Sequence, residues 1–207
     1  MGAISLIHVV QHRLLGLMSV SKSFLIDSSD LVLIDTGLSS GSARNVMSKL
    51  RELERAPGDI DLCILTHRHR DHVGGLKRLK DACGFNVAAH KLEAGPVEEA
   101  TGVGVDMLLE DGQVIPLCGG IRVIHVPGHT DGNIALLMGR ALFPGDSVFG
   151  DKGSLKPSPS RYNSNTEEAL RNISTLTSYD FDALYPSHGI DITISGKEKL
   201  TELLRSL

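Results

Sequence analysis

Leu62-Cys63-Ile64-Leu65-Thr66-His67-Arg68-His69-Arg70-Asp71-His72 is the stretch that decides how this chain is read. Four apolar residues in succession, without polar alternation, fit a strand covered on both faces. The run stops at Thr66, and three imidazoles and a carboxylate follow within six residues. A turn that opens a helix here can aim all four side chains into one cleft. Two imidazoles one residue apart can share a metal ion, while Asp71 and His72 face a neighbouring position.

The same grammar recurs on either side. Before the cluster, residues 23–27 and 31–35 read as strands joined by Ser28-Ser29-Asp30. Residues 43–55 carry Val46, Leu50 and Leu53 at helical spacing and stop at Pro57-Gly58. After it, the pattern predicts a helix over 73–79 ended by Gly84, a strand over 87–89 and a helix over 90–100. Strands follow at 114–117 and 121–126, turning at Gly119-Gly120, then a hairpin of 134–138 with 141–143. Residues 150–164, polar and rich in Gly, Pro and Ser, read as a loop long enough to suspect of function. A helix over 166–177, a strand over 183–185 and a helix over 196–207 complete a mixed α/β chain, expected as one domain over 1–207.

Three further ligand-bearing turns sit where strands end: Pro127-Gly128-His129-Thr130, Pro144-Gly145-Asp146 and Pro186-Ser187-His188-Gly189. With His67, His69, Asp71 and His72 they offer five imidazoles and two carboxylates. A set without thiolate suits zinc, iron or manganese rather than an iron–sulfur or copper–thiolate centre. Seven ligands exceed one tetrahedral ion and match two ions with one bridge.

The remaining composition narrows the partners. The chain has 207 residues, a net charge of −4 and 4% aromatic residues with no tryptophan. That balance disfavours nucleic-acid and anionic-membrane surfaces. Cys63, Cys83 and Cys118 form no CxxC pair and are expected as buried thiols in a cytoplasmic, reducing setting. The apolar start at residues 4–10 is broken by Gln11, His12 and Arg13, so no secretory leader is expected. Met1-Gly2 lacks the hydroxyl residue of an acylation signal at Leu6. The partner is expected to be a small-molecule substrate.

His67 to His72 reads H-x-H-x-D-H, and with His129, Asp146 and His188 in this order the chain resembles the metallo-β-lactamase superfamily, nearest to glyoxalase II-like hydrolases. The resemblance implies an α/β (α+β) fold, a four-layer αββα sandwich of two mixed sheets flanked by helices, with the metals at one edge. It implies two divalent ions, zinc first and iron or manganese as alternatives. His67, His69 and His129 would hold one ion, Asp71, His72 and His188 the other, with Asp146 bridging. Asp35, in Leu33-Ile34-Asp35-Thr36-Gly37, matches the aspartate that orients a ligand imidazole in this family. The implied activity is hydrolysis of a thioester, ester or lactone by a metal-bridging hydroxide, with Asp71 carrying a proton. Tyr162 resembles in placement the tyrosine that some lactonases aim at the substrate carbonyl.

Two other chemistries share these ligands: a mononuclear iron persulfide dioxygenase, and a phosphodiesterase or RNA-processing member. The arginine-bearing segment of the dioxygenases is not visible after Asp146, and no RNA-binding arm is expected. With nineteen residues after His188, the glutathione-contacting domain of glyoxalase II is not expected either. His8, His12, His90 and His125 match no ligand position and are expected to be structural. Arg68 and Arg70 fill variable positions, where ion pairing or solvation is the simpler reading and steering of an anionic substrate the sharper one.

Overall fold

The structure, a computed structural model, describes residues 6–13 and 19–207. The apolar start expected at residues 4–10 therefore lies partly outside the described residues. The chain divides into two compact units, Met1–Leu109 with Pro116–Gly119, and Glu110–Ile115 with Gly120–Leu207.

The first unit is built on β1 (Leu6–Arg13), β2 (Ser19–Asp27), β3 (Leu31–Ile34), α1 (Ser42–Glu52), β4 (Leu62–Leu65), α2 (Arg70–Val73), α3 (Leu76–Cys83), β5 (Asn86–His90), α4 (Lys91–Thr101) and β6 (Met107–Leu109). Its six strands lie in chain order in one sheet. β1 to β3 pair antiparallel, and β3 to β6 are parallel. β3 and β4 are buried at every residue, which is why their sequences are unbroken apolar runs. Leu33, Cys63, Leu65, Val87 and Ala89 of the sheet share a core with Val46 and Leu50 of α1, Leu76 and Leu79 of α3, and Val97 of α4. β1 was hidden in the sequence by its polar residues. It is an edge strand whose Val10 and His12 are buried while Gln11 and Arg13 face solvent. β6 is likewise a strand that the apolar pattern did not single out.

The expected helix after His72 is broken in two at Gly74-Gly75. A Cβ on Gly74 would stand 2.1 Å from the Leu38 carbonyl oxygen, and one on Gly75 2.3 Å from that of Thr36. The two glycines let the loop after β3 lie directly on the turn after β4. Those are the loops that carry Asp35 and the histidine cluster.

The second unit comprises β7 (Val114–Ile115), β8 (Ile121–His125), β9 (Ile134–Met138), β10 (Ala141–Phe143), β11 (Val148–Asp151), β12 (Ser154–Pro157), α5 (Thr166–Ile173), β13 (Ala183–Leu184) and α6 (Gly196–Ser206). Five strands form a mixed sheet in the order β13-β10-β9-β8-β7, with only β13 and β10 parallel. Ile124, Ala135, Leu142 and Leu184 pack with Ile173 and Leu176 and with Leu200 and Leu203 of α6. The two mixed sheets with their helices meet the expected fold class.

Residues 150–164 are not simply a loop. β11 and β12 form a hairpin in which Lys152 and Gly153 both have positive φ, 46° and 86°, as a two-residue type I′ connection requires. Val148 and Leu155 face the core, and a 3-10 turn at Ser160–Tyr162 follows. The short alternating pattern was masked by Gly150, Gly153 and Pro157. The helix expected over 166–177 ends as α5 at Ile173 and continues as a 3-10 segment, Ser174–Ser178.

His12 is buried at 1% exposure, its Nε2 2.7 Å from Ser23 Oγ. Burial, and secondarily the nearby His72, push its imidazole down to about 4. An unfolded chain titrates this group near 6.5, so it binds more protons than the folded one between those values. Stability is expected to be intact above pH 6.5 and to fall by about 3 kcal/mol from this group as pH drops through 4. Urea unfolding across that range is expected to show a flatter acid limb in His12→Gln. A second expectation concerns packing. Gly74→Ala should cost about 1–3 kcal/mol in the same measurement, because the added methyl meets backbone rather than a movable side chain.

Candidate metal centre

In the first unit the site grows from the carboxyl ends of two adjacent parallel strands, where open sheets of this kind present their ligands. β3 pairs with β4 so that Ile34 lies opposite Ile64, and the Asp35 N–H donates to the Ile64 carbonyl at 2.9 Å. Asp35 therefore stands beside Thr66, with no solvent exposure and a left-handed backbone, φ 58°. Its Oδ1 accepts the Thr66 N–H at 2.8 Å, and its Oδ2 accepts the Thr66 hydroxyl at 2.8 Å and His72 Nδ1 at 2.7 Å.

Those bonds fix ring tautomers. A carboxylate only accepts, so His72 holds its proton on Nδ1 and leaves Nε2 without one. The single Thr66 proton goes to Asp35, so its oxygen accepts from His67 Nδ1 at 3.1 Å. His67 thus also presents a bare Nε2. The ligand-type atoms of His67 and His69, of His67 and His72, and of Asp71 and His72 lie within 4.8 Å of one another. His67 and His72 are fully buried, whereas Asp71 is partly open, its Oδ2 3.8 Å from His72 Nε2. The Ser21 hydroxyl donates to the Asp71 carbonyl at 2.8 Å, and the Thr36 hydroxyl and N–H both donate to that of His72.

The second unit repeats the device with other residues. His129 Nδ1 is 2.9 Å from Asn163 Oδ1 and 2.9 Å from Ser158 Oγ. The amide oxygen only accepts, so Nδ1 donates to it and Nε2 is bare. That Nε2 lies 3.4 Å from Asp146 Oδ2, and His188 Nε2 lies 3.2 Å from the same oxygen. A bare ring nitrogen and a carboxylate oxygen face each other lone pair to lone pair, an arrangement that a cation relieves. The donor chemistry of both units therefore fits a divalent metal. Asn133, fully buried, ties the turns together. Its amide donates to the Val126 carbonyl and to Ser147 Oγ, both at 3.0 Å, and accepts the Asp146 N–H. A Cβ on Gly189 would lie 1.9 Å from the Gly150 oxygen, so the His188 turn sits directly on β11.

The structure thus brings His67, His69, Asp71, His72 and Asp35 together in one unit, and His129, Asp146 and His188 in the other. Tyr162 is 49% exposed, and its hydroxyl accepts from Arg161 Nη2 at 3.1 Å. Thr66, Ser158, Asn163 and Asn133 were not singled out from sequence. Only the position of Thr66, between an apolar run and a histidine cluster, offered a signal. Among the described residues none of His8, His12, His90 and His125 joins a group of three ligand-type side chains. His90 caps α4, accepting the Leu92 N–H, and His125 Nε2 lies 2.8 Å from the Asp131 carbonyl oxygen. Arg68 is ion-paired to Glu93 at 3.0 Å. The three cysteines are free and buried, and burial raises the pKa of each thiol. No helix among the described residues is long and apolar enough to cross a membrane.

Known proteins share this fold. Over 98% of the chain the fold matches a metallo-β-lactamase from Pontibacter korlensis, with a TM-score of 0.78, 20% identity and 97% of that chain covered. A metallo-β-lactamase family protein from Thermus thermophilus matches over 97% of this chain and 78% of its own, with a TM-score of 0.74 and 21% identity. In sequence, a hydroxyacylglutathione hydrolase from Serratia proteamaculans is 34% identical over 111 residues, 53% of this chain and 40% of that protein. One from a Shewanella species is 36% identical over 93 residues, 42% of this chain and 34% of that protein. The matched stretch thus spans well under half of these curated relatives. The family model of the metallo-β-lactamase superfamily matches residues 18–188, which contain every candidate ligand residue of both units, and the chain belongs to that superfamily.

Proposed function

We propose that this metallo-hydrolase superfamily member uses two divalent ions, zinc foremost, to hydrolyse a thioester, ester or lactone of a small molecule. The observation that carries the reading is the pre-set tautomer of His67, His72 and His129, each with Nδ1 held by an acceptor and Nε2 left without a proton. On this reading His67, His69 and His129 would hold one ion and Asp71, His72 and His188 the other, with Asp146 available to both. The bound ions supply Lewis acidity and a water acidic enough to act as nucleophile near neutral pH. Asp71, the ligand carboxylate with the greater exposure, takes a proton at Oδ2 and delivers it to the departing sulfur or oxygen. Tyr162 offers its hydroxyl to the developing oxyanion. The activity named for the curated relatives, hydroxyacylglutathione hydrolysis, puts a 2-hydroxyacyl thioester first among substrates to try. The buried, unreactive thiols suit the reducing cytoplasm.

The first test is metal analysis of protein purified without added metal or chelator, followed by a thioester, ester and lactone panel. About two equivalents of zinc per chain with turnover of one panel member is the expected result. One equivalent of iron with oxygen uptake on a persulfide would replace this reading with the dioxygenase. Asp146→Ala is expected to lose both metal occupancy and hydrolysis. Asp35→Asn should weaken zinc binding by about 10–100-fold in chelator competition, because an uncharged amide with one acceptor oxygen cannot serve the Thr66 N–H, the Thr66 hydroxyl and His72 Nδ1 together and lends His72 less basicity. Tyr162→Phe should lower kcat several-fold with KM little changed, whereas an unchanged kcat removes Tyr162 from the mechanism.

A further inference from the structure

Between the ligands His67 and His69 stands Arg68, and it is held from below. Glu93, the third residue of α4, has a side chain with no solvent exposure. Its Oε2 accepts the Arg68 backbone N–H at 2.7 Å, and its Oε1 accepts Arg68 Nη1 at 3.0 Å. One buried carboxylate thus grips both the main chain and the side chain of the residue that separates two ligands. We propose that Glu93 is a positioning residue for the metal loop, fixing the peptide between His67 and His69 and so the angle at which the two rings diverge.

Several observations support this. The rings of His67 and His69 meet edge to face, 4.8 Å between centroids and 82° between planes, an arrangement that depends on the orientation of the intervening peptide. Two bonds to a single anchor restrain that peptide in rotation as well as in position. The anchor is rigid, because α4 is seated in the core through Val97. The first turn of the helix also favours a carboxylate at this point. The other variable position of the motif behaves differently: Arg70 is exposed, and its side chain has no ion pair among the described residues. A buried ion pair is seldom more stabilising than apolar side chains of the same volume. Its placement here, on the loop that bears the ligands, therefore fits control of loop geometry rather than added stability.

The inference rests on the proposed metal reading, and its test separates the two. Zinc affinity is measured by chelator competition in the full chain and in Glu93→Gln, Glu93→Ala and Arg68→Ala. The cobalt(II) absorption spectrum and amide exchange at Arg68 and His69 in the metal-free protein are recorded alongside. Glu93→Ala is expected to bind zinc at least tenfold more weakly, to alter the cobalt spectrum and to speed exchange at both amides. Glu93→Gln, which keeps an acceptor for the Arg68 N–H, should recover part of each effect. Where Glu93→Ala does not fold, Glu93→Gln and Arg68→Ala carry the comparison. Variants that melt earlier yet keep the zinc affinity and the cobalt spectrum of the parent overturn the proposal and leave Glu93 a stabilising residue only. A parent chain that takes up no zinc or cobalt overturns the metal reading itself, and the positioning role falls with it.

Discussion

One carboxylate organises the candidate ligands of the first unit. Asp35 accepts a main-chain N–H, a hydroxyl and an imidazole, so its buried charge is satisfied and three groups are oriented at once. The arrangement depends on the parallel register of β3 and β4, which sets the Asp35 N–H on the Ile64 carbonyl. A slip of one residue would exchange the two faces of β3 and send Asp35 away from Thr66. Packing of unbroken apolar strands against α1 and α3 is thereby converted into the protonation state of two rings. Core stability and metal competence are coupled through that register.

The second unit reaches the same chemical result by a different route. An amide and a hydroxyl hold His129 Nδ1, from the segment between β12 and α5. Asn133 spans the turns after β8 and β10, as Asp35 spans the loops after β3 and β4. The difference has an electrostatic meaning. An ionic partner raises the basicity of His72 more than an amide raises that of His129, so the two units present candidate ligands of unequal donor strength.

The candidate ligand residues stood out in the sequence because they lie on turns just after apolar runs, where glycine and proline punctuate the chain. Asp35 was legible for the same reason, although Asp-Thr-Gly also suits an ordinary turn. Thr66, Ser158 and Asn163 were not, since a hydroxyl or amide gains its role from a ring that is near in space and not always in sequence. Asn163 is 34 positions from the histidine it orients. Glu93 was likewise indistinguishable from any acid in the first turn of a helix. In the fold, β3 and β4 could be read directly because burial on both faces leaves no ambiguity of period. β1 could not, because an edge strand keeps polar residues on its open side, and β11–β12 could not, because two positive-φ residues and a proline look like loop. The break at Gly74-Gly75 was invisible for a further reason: it answers to the backbone of Thr36 and Leu38, not to its own helix.

The order of the first sheet, β1 to β6, leaves two open ladders of main-chain donors and acceptors, and each is blunted in its own way. β6 offers only three residues, with Met107 and Leu108 outward, too short a template for a neighbouring chain to extend far. β1 is eight residues long, but its register shifts between His12 and Arg13. Such a bulge sharpens the twist and ends regular pairing, and the exposed arginine adds charge there. An incoming strand would meet charge and broken register at that end of β1. The polar residues that concealed β1 from sequence reading thus also make its edge a poorer template for another chain.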